Sequence, residues 1–159
     1  MELLAIIPAR GGSKGIPRKN IKLLKGRPLI WYTIQAALNS KYINRVILST
    51  EDEEIAQVAH ECGAEISWRP VELAQDETKT APVLVDVINQ LEKINYRPDV
   101  VVLLQATCPL RDAEKLDEAI ELFLSNPTCD SVFTVKKEGW THASPSYVIF
   151  LANECLGVK

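Results

Sequence analysis

The sequence has little that would fasten a small fold from outside. Its 4 cysteines, Cys62, Cys108, Cys129 and Cys155, are scattered with no Cys-x-x-Cys pair, and its 2 histidines, His60 and His142, are far apart. That spacing suggests neither a zinc site nor a disulfide framework, so the thiols are expected to be reduced and structural. Long hydrophobic runs are missing too. The longest, Leu3–Pro8 and Val100–Leu104, are strand length, far short of a bilayer crossing. Glu2 and a strand-like run follow Met1 at once, without the basic and apolar regions of a signal peptide, and a cytoplasmic location is expected. Basic charge is in deficit, with a net charge of −3, which argues against a nucleic-acid surface.

What is present fits one domain over residues 1–159, long enough to bury roughly 70% of the surface that the unfolded chain exposes. Hydrophobic residues make up 47% and charged residues 25%, the balance of an ordinary globular protein. Strand and helix patterns alternate. Strands are expected at Leu3–Pro8, 45–49, 64–68, 99–105 and 131–135, with helices at about 29–39, 53–62, 81–93 and Ala113–Leu124. Pro28 suits the first turn of the first helix, Ser49 and Thr50 can cap the second, and Gly63 stands where a left-handed C-terminal residue is expected. Val100 to Leu104 form a continuous apolar run, the mark of a strand covered on both faces. The whole reads as an α/β domain, a Rossmann-like, mostly parallel sheet with helices on both faces. The tail, 139–159, reads as loop plus one strand at 147–151 with nothing obvious to pack it.

Ligands of such sheets lie beyond the carboxyl ends of the strands, which selects the loops after Pro8 and Gln105 and the segment from Arg69 onward. The first loop reads Pro8-Ala9-Arg10-Gly11-Gly12-Ser13-Lys14-Gly15-Ile16-Pro17-Arg18-Lys19-Asn20. Its glycines permit close approach of the backbone to an anion, with positive φ values that turn successive N–H groups toward it. Arg10 can grip a phosphate bidentately, and Lys14 and Lys19 add point charges. From Arg10 to Arg27 there are seven basic side chains (Arg10, Lys14, Arg18, Lys19, Lys22, Lys25, Arg27) and no acidic one. The pattern is neither a Walker A motif nor Gly-x-Gly-x-x-Gly. On these residues alone, a phosphate loop and a glycine turn with solvated charges both stay open.

The wording of four ordered segments goes further: Ile7-Pro8-Ala9-Arg10 through Asn20, Arg45-Val46-Ile47-Leu48-Ser49-Thr50, Arg69-Pro70-Val71-Glu72-Leu73-Ala74-Gln75-Asp76, and Leu103-Leu104-Gln105-Ala106-Thr107-Cys108-Pro109-Leu110-Arg111. Together they resemble the CMP-sialic acid synthetases, or acylneuraminate cytidylyltransferases, of the sugar nucleotidyltransferase group. The resemblance implies a nucleotidyltransferase-type fold. It also implies transfer of CMP from CTP to the anomeric hydroxyl of an acidic nine-carbon 2-keto sugar, with release of pyrophosphate, a requirement for Mg²⁺ and a homodimeric full-length form. Family members continue well beyond Lys159 and carry acidic metal ligands there, so this chain is expected to be a fragment or a natural short form, and its metal ligands are unknown. Two further readings stay open: a cytidylyltransferase for another keto sugar acid such as 3-deoxy-manno-octulosonate, and a CTP-binding module without full catalysis.

The resemblance places Arg10 and Lys14 in the catalytic role and Gly11, Gly12, Ser13, Lys19 and Asn20 around the nucleotide. Arg69, Asp76 and Thr78 join the nucleotide set, although Asp76 equally suits a cap for the next helix. The segment beyond Asp76 looks longer than the usual family version, which leaves Thr80 unassigned. Gln105, Thr107 and Arg111 are assigned to the sugar substrate, Arg111 either meeting its carboxylate or pairing with Asp112 or Glu114. Ala106 and Cys108 depart from the commonest family residues, proline and serine. Arg18 is either a ligand contact or a solvated charge.

Overall fold

The computed structural model describes residues 1–13, 15–138 and 142–152. Along the chain run β1 (Leu3–Pro8), a small hairpin of β2 (Leu23–Leu24) and β3 (Arg27–Pro28), α1 (Leu29–Leu38), β4 (Arg45–Thr50) and α2 (Glu53–Glu61). Then come β5 (Glu65–Trp68), α3 (Thr80–Glu92), β6 (Val100–Leu104), α4 (Ala113–Leu124), β7 (Phe133–Glu138) and β8 (His142–Ala152). Six strands form one sheet in the order β5-β4-β1-β6-β8-β7. The first four are parallel to one another, β8 runs antiparallel to β6 and β7 antiparallel to β8, so the sheet is mostly parallel as expected.

Side-chain alternation along β1 divides the core. Leu3, Ala5 and Ile7 pack with Ile30 and Ile34 of α1, Ile55 of α2 and Leu116 and Ile120 of α4. Leu4 and Ile6 pack on the other face with Leu84, Val87 and Ile88 of α3. Full burial of each such Leu or Ile contributes ~1.5–3 kcal/mol, and the alternation lets one strand anchor both helical layers. The connections explain why α3 is alone. From β1 the chain steps outward through β4 to β5, then returns past β1 to β6, and a right-handed crossover puts the returning helix on the opposite face. The reversal makes β1 and β6 the switch point, beyond whose carboxyl ends a ligand site is expected.

Three details differ from the sequence reading. The cap of α2 is Asp52, whose carboxylate accepts from the Ile55 N–H at 3.0 Å. β4 runs through Thr50, which leaves Ser49 in the ladder and Thr50 accepting from the Asp52 N–H at 3.1 Å. Pro28 precedes α1 as its extended N-cap instead of sitting in the first turn. The tail strand is longer than expected and joins the sheet: β8 pairs with all five residues of β6, covering an edge that would otherwise present open backbone groups. Gly63 has φ +99°, the left-handed terminus anticipated for α2. Cys62 and Cys108 are half-buried and Cys129 is exposed; Cys155 lies outside the described residues.

Candidate functional site

β1 hands its chain to the loop without a break, the Ala9 N–H donating to the Ser49 carbonyl of β4 at 3.0 Å. The loop then returns on itself. Buried Asn20, in a short helical turn at Lys19–Ile21, donates from its side-chain amide to the Arg10 carbonyl at 2.9 Å, tying the two ends together. Its flank is held by the acidic start of α2. The Arg18 guanidinium lies against Asp52 at 2.5 and 2.9 Å and also bonds Glu54. The hydrogen bond from Arg18 is the main reason that the Asp52 carboxyl sits below the usual carboxylate range, and the same bond pushes the Arg18 guanidinium further up. Arg18 takes up the left-handed backbone, at φ 52°. Neither Gly11 nor Gly12 does, contrary to the expectation of positive φ.

Gly11 has a different reason to be glycine. A Cβ there would lie 2.5 Å from Asp52 Oδ2. The Gly11 N–H donates to Glu51 Oε1 at 2.7 Å, so this amide is directed at the end of β4. Gly12 has open space around its Cβ position.

Beside this loop, at the carboxyl ends of β1 and β6, is a cavity of about 340 Å³. Arg10, Lys19, Asn20, Arg69, Asp76, Thr78, Gln105 and Thr107, all singled out in the sequence, line it together. Three segments distant in sequence thus converge where the fold reverses. Gly11, Gly12, Ser13 and Arg111 are not among its lining residues, and Lys14 lies outside the described residues. Pro8, Leu73, Gln75, Thr80, Val83 and Ala106 complete the wall. Thr80 and Val83 belong to the first turn of α3; Thr80 lies in the segment left unassigned from the sequence, and Val83 carries no local signal of its place on the wall.

Arg69 extends the β4–β5 ladder through its N–H to the Thr50 carbonyl at 2.9 Å. Its side chain is buried and donates to Ser49 Oγ at 3.2 Å and to the Ser49 carbonyl at 2.8 Å. Burial is the largest influence on this guanidinium and lowers its pKa, with the Glu51 charge acting the other way. A cation on a cavity wall, hydrogen-bonded to neutral acceptors, is suited to an anionic ligand. Arg10 meets Asp76 Oδ1 at 2.7 Å. Asp76 does not cap α3, whose N-cap is Lys79 without a side-chain bond.

In the loop after β6, the Thr107 hydroxyl donates to Gln105 Oε1 at 3.4 Å. Arg111 stands behind this loop. Its Nη2 donates to the Gln105 carbonyl at 3.1 Å rather than to Asp112 or Glu114, and Asp112 instead caps α4 through the Lys115 N–H at 2.8 Å. Arg111 borders a separate hollow with Trp31 and Tyr32.

A doubly covered α/β sheet with a basic loop bordering a cavity at its switch point is the layout of a nucleotidyltransferase-type domain. Residues 4–144 match the family model described as cytidylyltransferase, and the chain belongs to that family. It is 41% identical over 123 residues to the CMP-N,N'-diacetyllegionaminic acid synthase of Legionella pneumophila, covering 77% of this chain and 53% of the relative. It is 45% identical over 127 residues to a pseudaminic acid cytidylyltransferase of Campylobacter jejuni, covering 79% and 55%. The chain spans about half the length of these curated relatives. In fold it superposes on a CMP:2-keto-3-deoxy-manno-octonic acid synthetase solved in complex with CTP, with a TM-score of 0.78 and 16% identity over 99% of this chain and 76% of that one.

Proposed function

We propose that the cavity binds CTP and that the protein transfers CMP to the anomeric hydroxyl of an acidic nine-carbon 2-keto sugar of the sialic acid type, releasing pyrophosphate. One observation carries this reading: Arg10, Lys19, Asn20, Arg69 and Gln105 line a single cavity at the switch point of the sheet. Arg10 and Lys14 take the catalytic role, neutralising charge as it moves onto the pyrophosphate leaving group. Lys19, Asn20, Arg69 and Thr78 hold the nucleotide, with Asp76 acting on it through Arg10, while Gly11, Gly12 and Ser13 shape the loop. Gln105 and Thr107 face the acceptor sugar and Arg111 supports their loop from behind. Relatives named for legionaminic and pseudaminic acids support an acidic nonulosonate as acceptor.

Mg²⁺ belongs to the proposed reaction as a companion of the triphosphate. Among the described residues no group of three or more His, Cys, Asp or Glu side chains is placed to hold a metal ion. Among the described residues, Asp76 is the single carboxylate on the cavity wall, and Arg10 engages it. These residues do not form a metal site on their own, and no step is routed through the ion. The same reading makes the enzyme cytoplasmic and homodimeric, with small-molecule substrates and no nucleic-acid partner.

The test is pyrophosphate release from CTP, UTP and GTP with Mg²⁺ and a panel of acidic keto sugars. CTP with a nonulosonic acid is expected to react fastest. A preference for UTP or GTP overturns the reading, and a preference for 3-deoxy-manno-octulosonate moves it to that acceptor. Calorimetric CTP binding without turnover on any acceptor reduces it to a binding module.

A further inference from the structure

Arg10 and Asp76 meet across the cavity wall, Nη1 to Oδ1 at 2.7 Å, with about a third of each side chain exposed. The two come from different parts of the fold. Arg10 leaves the end of β1, whereas Asp76 lies between a helical turn at Val71–Ala74 and α3. Asp76 is not the N-cap of α3, which is Lys79. Its segment is shaped by other bonds: the Gln75 amide donates to the Val71 carbonyl at 2.8 Å and the Thr78 N–H to the Gln75 carbonyl at 3.1 Å. Among the described residues, the polar part of the lining otherwise offers an anion three cations, Arg10, Lys19 and Arg69, and hydroxyl or amide groups. A carboxylate on Arg10 therefore works against any phosphate that enters, both by occupying guanidinium donors and by direct repulsion over a few ångströms.

We infer that Asp76 is a placeholder anion: its carboxylate takes a guanidinium edge of Arg10 that a phosphate group would use, and the two exchange on binding. Asp76 thereby lowers affinity for the polyphosphate. The ligand named here rests on the CTP reading, but the sign of the effect follows from charge alone. It is opposite to that of a residue which supports the nucleotide by positioning Arg10, whose loss weakens binding.

The experiment is titration calorimetry at low, fixed ionic strength with a chelator present, using CTP and inorganic tripolyphosphate as separate probes. Asp76→Asn and Asp76→Ser are both expected to bind each probe about three- to tenfold more tightly than the unaltered protein. In an Arg10→Ala background the part of the gain that comes from freed guanidinium donors is expected to be lost, and the part that comes from direct repulsion to remain. Unchanged or weaker binding by both variants overturns the exchange, and CTP binding that neither variant tightens overturns it while leaving the nucleotide reading intact. Tripolyphosphate binding that tightens, with CTP not bound, supports the exchange and overturns the cytidine reading. Failure of every form to bind tripolyphosphate overturns the exchange outright.

Discussion

Gly11→Ala is the substitution that best separates contact from conformation in the loop. Neither Gly11 nor Gly12 has a positive φ, so an alanine at either position is free of backbone strain. Their surroundings differ completely. At Gly11 the new methyl lies 2.5 Å from Asp52 Oδ2 and 3.0 Å from Asp52 Cβ, whereas at Gly12 nothing lies within 4 Å. Asp52 cannot swing aside without cost, because the same carboxylate caps α2 at Ile55 and holds Arg18. Loss of a helix cap costs ~0.5–2 kcal/mol, and a partly exposed ion pair adds ~0.2–1 kcal/mol. The sum, about 1–3 kcal/mol, lowers Tm by roughly 3–10 °C for a chain of this size. Gly12→Ala is expected to stay within about 0.5 kcal/mol of the unaltered protein. Thermal melts followed by circular dichroism, with urea midpoints alongside, measure both. Equal melts for the two variants would refute the claim that Gly11 is glycine to admit Asp52.

Arg10→Ala is expected to weaken CTP binding by about one to two powers of ten, from the loss of ~1.5–3 kcal/mol of charge-assisted hydrogen bonding; an unchanged calorimetric titration removes Arg10 from the site. The Asp52 carboxyl, held low by Arg18, contributes stability that is complete above the ordinary carboxylate range near pH 4 and is lost as pH falls through its depressed value. The gap in urea midpoint between the unaltered protein and Asp52→Asn is therefore expected to be constant from about pH 7 to 5 and to close at lower pH. A gap that persists undiminished at the acid extreme rejects the Arg18–Asp52 clasp as a stabilising element.

What could be read from the sequence was what is written locally. β1 and α4 have the bounds expected of them, because a strand-length apolar run and a 3.6-residue apolar stripe are properties of contiguous residues. The β2–β3 hairpin was missed, since four residues with no alternation give no periodic signal. The β8 ladder was missed in part because its partner, β6, lies over forty residues upstream. In the site, the cations were visible as a charge anomaly, but their partners were not. Glu51, Asp52 and Glu54 follow β4, and only the parallel pairing of β4 with β1 brings them beside the loop. Asn20 was singled out in the sequence, but its place as the bond that closes the loop onto the Arg10 carbonyl depends on a turn that sequence does not announce.

The basic residues of the loop are alike in sequence and unlike in the fold. Arg18 is committed to two carboxylates at the start of α2. Arg27 lies over the Trp31 ring, 5.2 Å from its centroid, while Lys22 and Lys25 are exposed. Of the cations described between Arg10 and Arg27, Arg10 and Lys19 line the cavity, and Arg69 arrives from another strand to join them. Positive charge in a loop thus overstates the number of ligand contacts, because the loop must first be held in shape. A guanidinium clasped by two acids can anchor a loop but has few donors left to bind phosphate. Arg18, with two carboxylates, and Arg10, with Asp76 on a cavity wall, divide those tasks: the first fixes where the loop is, and the second keeps donors at the place where charge is exchanged.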